Sequence, residues 1–201
     1  MKKNRGDYLT LYNTLEILPK YKSWLNYYKD EAILNWHHYI QVEKKTNVPW
    51  QIIAALHANE CAFDLNRQIL NGEKWNKKTR KVPKNLGPFE SWIESAVFAL
   101  NYINPHFSNA ISIVEVLTFL ESWNGWGYRS KGVNSPYLWA LTNYGVGVGK
   151  FVRDGIYDPK VVSKQLGAAA LIKELNEYKT NSIYQFDDEN YLKLKSKQFT
   201  K

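Results

Sequence analysis

The stretch NVPWQIIAALHANECAFDLNRQILNGEKWNKKT, residues 47–79, joins an apolar helical segment to a polar segment that contains glycine. Pro49 suits the first turn of a helix, and the apolar spacing predicts a helix over residues 49–61. One face of that helix carries Ile53, Leu56, His57 and Glu60. Apolar surroundings disfavour the charged form of a carboxyl group, which suits a general acid. A solvated Glu60, or one paired with Arg67, is the alternative interpretation.

A second carboxylate follows in the polar segment. Asn71-Gly72 is typical of a hairpin turn and predicts β or extended structure over residues 64–84. Glu73 comes thirteen residues after Glu60, and Thr79 six residues later. Two carboxylates on facing elements suit glycoside hydrolysis, in which one donates a proton and the other activates water or traps the sugar. Thr79 is the candidate for holding the water, and Asp64 is the reserve second acid.

This unit resembles the lysozyme superfamily, in particular a set of phage and prophage lysozyme-like proteins with the patterns LHxRE, LHNGDPL and RT. The matching stretches here are Leu56 to Glu60, Ile69 to Glu73, and Lys78-Thr79. The resemblance implies a buried helix that ends in the catalytic glutamate and a β-hairpin that carries the second acid. Asn59 stands where the family has arginine, and Glu73 stands where it has aspartate.

A second stretch, ESWNGWGYRSKGVNSPYLW at residues 121–139, extends the resemblance. Trp123-Asn124-Gly125 is similar to the Tyr-Asn-Ala/Gly-Gly element that lines the saccharide site of goose-type lysozymes and lytic transglycosylases. Glycine permits close approach of a ligand, and an asparagine amide matches a sugar acetamido group. A helix cap with aromatic rings in the core is the alternative. The resemblance implies that the substrate-binding residues are Asn124, Gly125, Tyr128, Arg129 and His57.

The remaining periodicity predicts a mainly α fold (α+β), a lysozyme-like helical domain with one small β-hairpin after the helix of Glu60. The predicted helices cover residues 30–46, 49–61, 87–103, 109–123, 135–143 and 158–178. Asp158 is the expected cap of the last one, with Pro159 in its first turn. The expected organisation is an N-terminal helical extension over residues 1–29, a catalytic domain over 30–178 and a polar tail over 179–201.

The formal net charge of +8 indicates an anionic partner such as nucleic acid, an acidic membrane surface or bacterial cell wall. Residues 74–84 hold six basic side chains and no acid, which suits a teichoic polymer, an anionic glycan or phosphates. Against nucleic acid stands the absence of any recognisable helix-turn-helix, RRM or zinc motif. Cys61, the single cysteine, cannot form an internal disulfide and is expected to be a buried structural thiol.

These features together predict a muramidase of the endolysin type, acting as a monomer on peptidoglycan glycan strands without a cofactor or metal. The resemblance implies that the bond cleaved is the β-1,4 bond between N-acetylmuramic acid and N-acetylglucosamine. No signal peptide and no membrane-spanning segment are recognised, so we expect a cytoplasmic protein that is released to the wall. A lytic transglycosylase, or a non-catalytic module that binds wall or nucleic acid, is the alternative.

Overall fold

A computed structural model describes residues 7–107, 111–153 and 155–180, with side chains described as far as Glu177. This part of the chain is mainly helical, with one two-stranded antiparallel hairpin, which confirms the predicted fold class. The elements are α1 Tyr8–Asn13, α2 Lys22–Leu34, α3 Trp36–Thr46, α4 Trp50–Cys61, α5 Trp92–Ile103, α6 Ile113–Asn124, α7 Gly127–Ser130, α8 Pro136–Trp139, β1 Lys150–Arg153, β2 Ile156–Asp158 and α9 Ala168–Thr180.

The described residues form two compact units. Unit 1 contains those of Met1–Leu25 and Phe107–Lys173, and unit 2 contains those of Asn26–His106 and Glu174–Lys201. The predicted catalytic domain over residues 30–178 draws on both units and stays a prediction. The predicted tail over residues 179–201 lies outside the described residues, except for the last two residues of α9.

Unit 2 is organised around α4, whose residues 50–58 are all buried. α3 packs against both α4 and α5. His57 is fully buried among rings: its ring centroid lies 4.7 Å from that of Trp92 and 5.6 Å from that of Phe63. Its Nδ1 atom forms a 2.9 Å hydrogen bond with the Tyr39 hydroxyl. An apolar helix, an aromatic cluster and one buried hydrogen bond therefore form the centre of this unit.

Unit 1 packs α6 against α1 and α8. α6 begins with a capping box, in which the Ser112 hydroxyl accepts from the Glu115 backbone N–H while the Glu115 carboxylate accepts from Ser112. All four residues of α8 are buried. β1 and β2 pair antiparallel, with Lys150 opposite Asp158 and Phe151 opposite Tyr157. In chain order, the two strands lie between α8 and α9.

The predicted position of the hairpin is wrong. Residues 64–84 contain one isolated antiparallel bridge, between Arg67 and Lys74, and no named strand. Side chains bind backbone groups throughout this segment: Asp64 accepts from the Asn66 N–H, and an Arg67 N–H donates to the Gly72 carbonyl. Because such local hydrogen bonds compete with hydrogen bonds between paired strands, the segment folds as a loop held by bonds between side chains and backbone. The named strands lie at residues 150–158 instead.

Several predicted helix boundaries also need correction. The helix expected over residues 87–103 begins only at Trp92, and the one expected over residues 135–143 is limited to Pro136–Trp139. The helix expected over residues 30–46 is divided into α2 and α3 at Asn35, whose side-chain amide donates to the Glu31 carbonyl. The helix expected from Asp158 begins only at Ala168. Asp158 instead ends β2, and its carboxylate accepts from the Lys160 N–H in a turn. The capping residue was therefore recognised, but it caps a turn rather than a helix.

No helix in the described part of the chain is long and apolar enough to cross a membrane.

The buried histidine makes stability dependent on pH. Burial lowers the pKa of His57 from 6.5 to about 4. Between those values the unfolded chain binds a proton that the folded chain does not, so stability falls as pH falls from 6.5 towards 4, by about 3 kcal/mol for this group. We expect His57→Gln to weaken that pH dependence in urea unfolding, whereas His106→Gln, at an exposed position, leaves it unchanged. Titration of the His57 ring near pH 6.5 in the folded protein would contradict this expectation.

Candidate active site

Glu60 lies in the last turn of α4, two residues after the buried run over residues 50–58, and it is partly exposed. The two residues that end the helix, Ala62 and Phe63, both have left-handed backbone conformations, with φ values of 49° and 62°. Such conformations cost a residue with a Cβ atom about 1–2 kcal/mol, and they are concentrated at functional sites. The chain therefore leaves α4 immediately after Glu60 through a strained turn that glycine would adopt more easily.

The loop after α4 packs back against the end of this helix. A Cβ atom built on Gly72, whose φ is +71°, would lie 2.9 Å from the Glu60 carbonyl oxygen. The Gln68 carbonyl oxygen accepts from the Gly72 N–H at 3.0 Å and from the Cys61 thiol at 3.2 Å. These contacts place Gly72, and with it the Asn71-Gly72 turn, against the backbone of Glu60.

Cys61 is buried, as the sequence indicated. Burial, with a smaller contribution from the charge of Glu60, raises the pKa of this thiol. A thiol held neutral in this way is a poor nucleophile. Cys61 therefore serves the packing of the loop rather than the chemistry of the site.

Glu73 follows the turn, and its carboxylate is already engaged. One oxygen, Oε2, accepts from the Arg80 backbone N–H at 2.9 Å and from the Lys81 backbone N–H at 2.8 Å. The structure thus gives Glu73 a role in shaping the loop over residues 73–81. Its predicted role as the second catalytic carboxylate would have to be carried by the other oxygen, Oε1.

Thr79 is buried, and its hydroxyl is used within the same loop. The hydroxyl donates to the Pro83 carbonyl at 2.6 Å and accepts from the Leu86 N–H at 3.0 Å. The Thr79 backbone also bonds with Leu86 and Asn85. The structure therefore gives the Thr79 hydroxyl a role in closing the loop over residues 79–86, and its role in positioning water stays a prediction.

Asp64, the reserve acid, is part of a local turn. Its pKa is lowered, first by the backbone N–H of Asn66 and then by the Asn66 amide and the Arg67 guanidinium. The Arg67 Nε atom lies 3.1 Å from Asp64 Oδ2. Asp64 is therefore a charged carboxylate near neutral pH, and it is paired with Arg67.

His57, a predicted substrate-binding residue, is 0% exposed. It lies on the same helix as Glu60 but points into the aromatic cluster of unit 2. Direct contact with a glycan is thus excluded for this side chain, and its contribution is to hold α4 against α3 through Tyr39. The motif LHANE had placed it near the catalytic glutamate in sequence, but the helical rotation buries it.

A pocket with a volume of about 710 Å³ opens on the loop of unit 2. Glu73 and Thr79 line it together with Gly72, so the loop brings together two of the three predicted catalytic residues. Glu60 adjoins it through the contact between its carbonyl oxygen and Gly72. The basic residues that line this pocket are Arg67, Lys74, Lys77, Lys78, Arg80 and Lys81.

In unit 1, a pocket of about 770 Å³ is lined by three of the predicted substrate-binding residues, Asn124, Gly125 and Tyr128. Asn124 is the last residue of α6 and is exposed, and Gly125 follows with a φ of 90°. The end of α6 at Asn124-Gly125 therefore lies at a concave surface, as expected of a ligand site. The residues that the sequence interpretation did not assign to it include Lys150, Phe151, Arg153, Ser163, Lys164 and Gln165.

Tyr128 forms the wall of this pocket rather than a free stacking face. It is buried, and its hydroxyl accepts from the Phe151 backbone N–H at 3.2 Å. Its ring packs edge-on against those of Phe151 and Tyr157. Tyr128 thereby joins the short α7 to the β1–β2 hairpin.

Arg129 is turned to another surface of unit 1. Its guanidinium lies 4.9 Å from the Trp126 ring centroid and 5.3 Å from that of Tyr8. These distances are typical of cation–π contacts. Arg129 is not among the residues that line the described pocket, so its predicted contact with substrate stays a prediction.

The basic side of the pocket in unit 1 was missed because the segment GKFVRDGIYDP was expected to precede a helix rather than to form strands. Its signal was present in the sequence: Phe151 and Tyr157 flank a turn at Gly155, as in a short hairpin. Pairing of these strands brings Lys150 and Arg153 to the pocket that Asn124 lines.

Metal binding has no candidate in the described residues, where no group of three or more His, Cys, Asp or Glu side chains is placed to hold an ion. Comparison with known proteins finds no matching family model, curated protein or solved structure. The resemblance to lysozymes therefore remains an expectation from motifs, and the observed geometry is the ground for a functional proposal.

The contact between Gly72 and Glu60 generates a prediction. We expect Gly72→Ala to lower the free energy of unfolding by clearly more than Gly132→Ala in urea unfolding. Both glycines have positive φ, but a Cβ at Gly132 meets nothing within 4 Å. The shared conformational cost is about 1–2 kcal/mol, and the clash with the Glu60 carbonyl adds to it only at Gly72. Equal losses of unfolding free energy in the two variants would show that Gly72 is not in close contact with the end of α4.

Proposed function

We propose that the protein is a peptidoglycan hydrolase that cleaves the β-1,4 bond between N-acetylmuramic acid and N-acetylglucosamine, with Glu60 as the general acid. The observation that carries this proposal is the position of Glu60: a partly exposed carboxyl group in the last turn of an otherwise buried helix, followed by a strained turn and a tightly packed loop. Protonation of the leaving oxygen needs a carboxyl group that is held in place yet reaches substrate.

Rigid support for Glu60 comes from both sides in the sequence. Before it, α4 is anchored by the buried residues 50–58 and by the hydrogen bond between His57 and Tyr39. After it, the loop is closed on itself by Thr79 and Glu73. Catalytic groups on rigid elements keep the geometry that proton transfer requires.

We also propose that the pocket of unit 1 binds saccharide, independently of the position of Glu60 in unit 2. Asn124 offers an amide that can both donate to and accept from an acetamido group, and Phe151 adds an apolar ring. Lys150, Arg153 and Lys164 supply positive charge, which suits the carboxylates of muramic acid and its peptide. The reaction is carried by carboxyl groups and needs no cofactor.

Replacement of the proton donor tests the proposal. Glu60→Gln keeps the size of the side chain but cannot donate a proton as an acid, so we expect lysis of permeabilised bacterial cells to fall at least about a hundredfold. Glu90→Gln, at an exposed position in the same unit, is the matched control and should retain activity. Turbidity measures lysis, and circular dichroism verifies that both variants are folded. Absence of lysis by the unmodified protein would favour a non-catalytic wall-binding module.

A lytic transglycosylase is the second candidate, because such an enzyme needs only one carboxyl group. The observation that favours it is the engagement of Glu73 Oε2 by two backbone N–H groups. In this reaction the glycosidic oxygen leaves with the proton from Glu60, the O6 atom of the muramic acid bonds to C1 to close a 1,6-anhydro ring, and the Glu60 carboxylate accepts the proton of the 6-hydroxyl.

Mutation of Glu73 distinguishes the hydrolase from the lytic transglycosylase. Glu73→Gln retains an oxygen that can accept from the Arg80 and Lys81 N–H groups, so the loop should persist. If Glu73 serves as the second carboxylate of a hydrolase, this variant should lose about a hundredfold or more in lysis rate. Lysis at the unmodified rate would instead support the route with Glu60 alone.

A further inference from the structure

Positive charge is concentrated in the pocket of unit 2, next to the residues assigned to chemistry. Six of its lining residues are basic and one, Glu73, is acidic. Arg67 is paired with Asp64. In the described residues, no carboxylate forms an ion pair with Lys74, Lys77, Lys78 or Lys81, and all four lysines are exposed. The pocket therefore presents lysine charges that are not neutralised by the fold.

The backbone that carries these lysines is held in one shape. Glu73 Oε2 binds the N–H groups of Arg80 and Lys81, and the Thr79 hydroxyl bonds to Pro83 and Leu86. The Trp75 N–H donates to the Leu65 carbonyl at 2.8 Å. These hydrogen bonds join polar groups of the loop to one another, while the lysine side chains are directed to solvent. Such an arrangement suits recognition of a repeated anion.

The side chains that line this pocket favour one class of anionic ligand. None of the residues that line this pocket has an aromatic ring. Proteins that bind single-stranded nucleic acid combine positive charge with aromatic rings on which bases stack. A pocket that offers charge without a stacking face suits a polymer whose phosphates are joined by small polyols rather than by nucleosides.

We propose that the lysine-lined pocket of residues 67–85 binds a polyol-phosphate polymer of the bacterial wall through its phosphodiester groups. The choice of a wall polymer rests on the proposed function, since the same unit carries Glu60. Occupation of this pocket would concentrate the protein on walls that bear such a polymer. Because the contacts are exposed charges, binding weakens as salt concentration rises.

Binding of purified poly(glycerol phosphate), measured by calorimetry, tests this proposal. All proteins carry Glu60→Gln, so cleavage does not interfere. The pocket variant combines Lys74→Gln, Lys77→Gln, Lys78→Gln and Lys81→Gln. The control variant removes the same charge at exposed lysines elsewhere, by Lys22→Gln, Lys44→Gln, Lys45→Gln and Lys160→Gln. We expect the pocket variant to lose affinity about tenfold or more, and the control about twofold or less.

Two comparison ligands show whether binding requires a polyol phosphate or only negative charge. Oligo-dT and polyglutamate of equal charge should bind more weakly than poly(glycerol phosphate), and their binding should respond equally to the two variants. Equal loss in the pocket and control variants would overturn the proposal, as would tighter binding of oligo-dT or equal binding of polyglutamate.

Failure of this inference is distinguishable from failure of the proposed function. Bare peptidoglycan from which the polymer has been removed still tests cleavage by Glu60. Cleavage of bare glycan without polymer binding would overturn only the pocket proposal, whereas polymer binding without cleavage would overturn only the enzymatic one.

Discussion

The hydrogen bond between His57 and Tyr39 joins α4 to α3 in a core where both side chains are fully buried. Around it, Ile52, Ile53 and Leu56 are at most 1% exposed, and each contributes about 1.5–3 kcal/mol through burial. These contacts determine the rotation of α4 about its axis. That rotation buries His57 and leaves Glu60, three residues later, partly exposed, so the position of the proposed acid depends on the packing of unit 2.

In the loop that follows α4, polar side chains mainly form hydrogen bonds that hold the loop together. Glu73 and Thr79 hold the loop closed, while the lysines between and beside them remain exposed. The segment therefore combines a hydrogen-bonded backbone with exposed charges, which suits recognition of a flexible anionic polymer. Gly72 connects this loop to the helix of Glu60, because only a residue without Cβ allows so close an approach to the Glu60 carbonyl.

Periodicity and capping residues predicted α5 and α6, and the apolar run after Pro49 predicted α4, with boundaries within about five residues of those observed. Periodicity failed at Asn35 and at residues 64–84, where side chains bind nearby backbone groups and override the pattern. For the site, sequence spacing identified the end of α4 and the Asn124 loop. It could not reveal that Thr79 and Glu73 bind backbone groups of their own loop, because that depends on the conformation of the loop. It could not reveal that the β1–β2 hairpin brings Lys150 and Arg153 to the pocket of Asn124, because that depends on contacts between residues far apart in sequence.

The central claim is that Glu60 donates a proton to a glycosidic oxygen of peptidoglycan. Mass spectrometry of the fragments released from purified peptidoglycan by the unmodified protein tests it most directly. The account predicts disaccharide peptides with reducing N-acetylmuramic acid ends. Fragments with 1,6-anhydro ends would indicate transglycosylation in place of hydrolysis. An undigested glycan would contradict the claim that Glu60 donates a proton to the glycosidic oxygen.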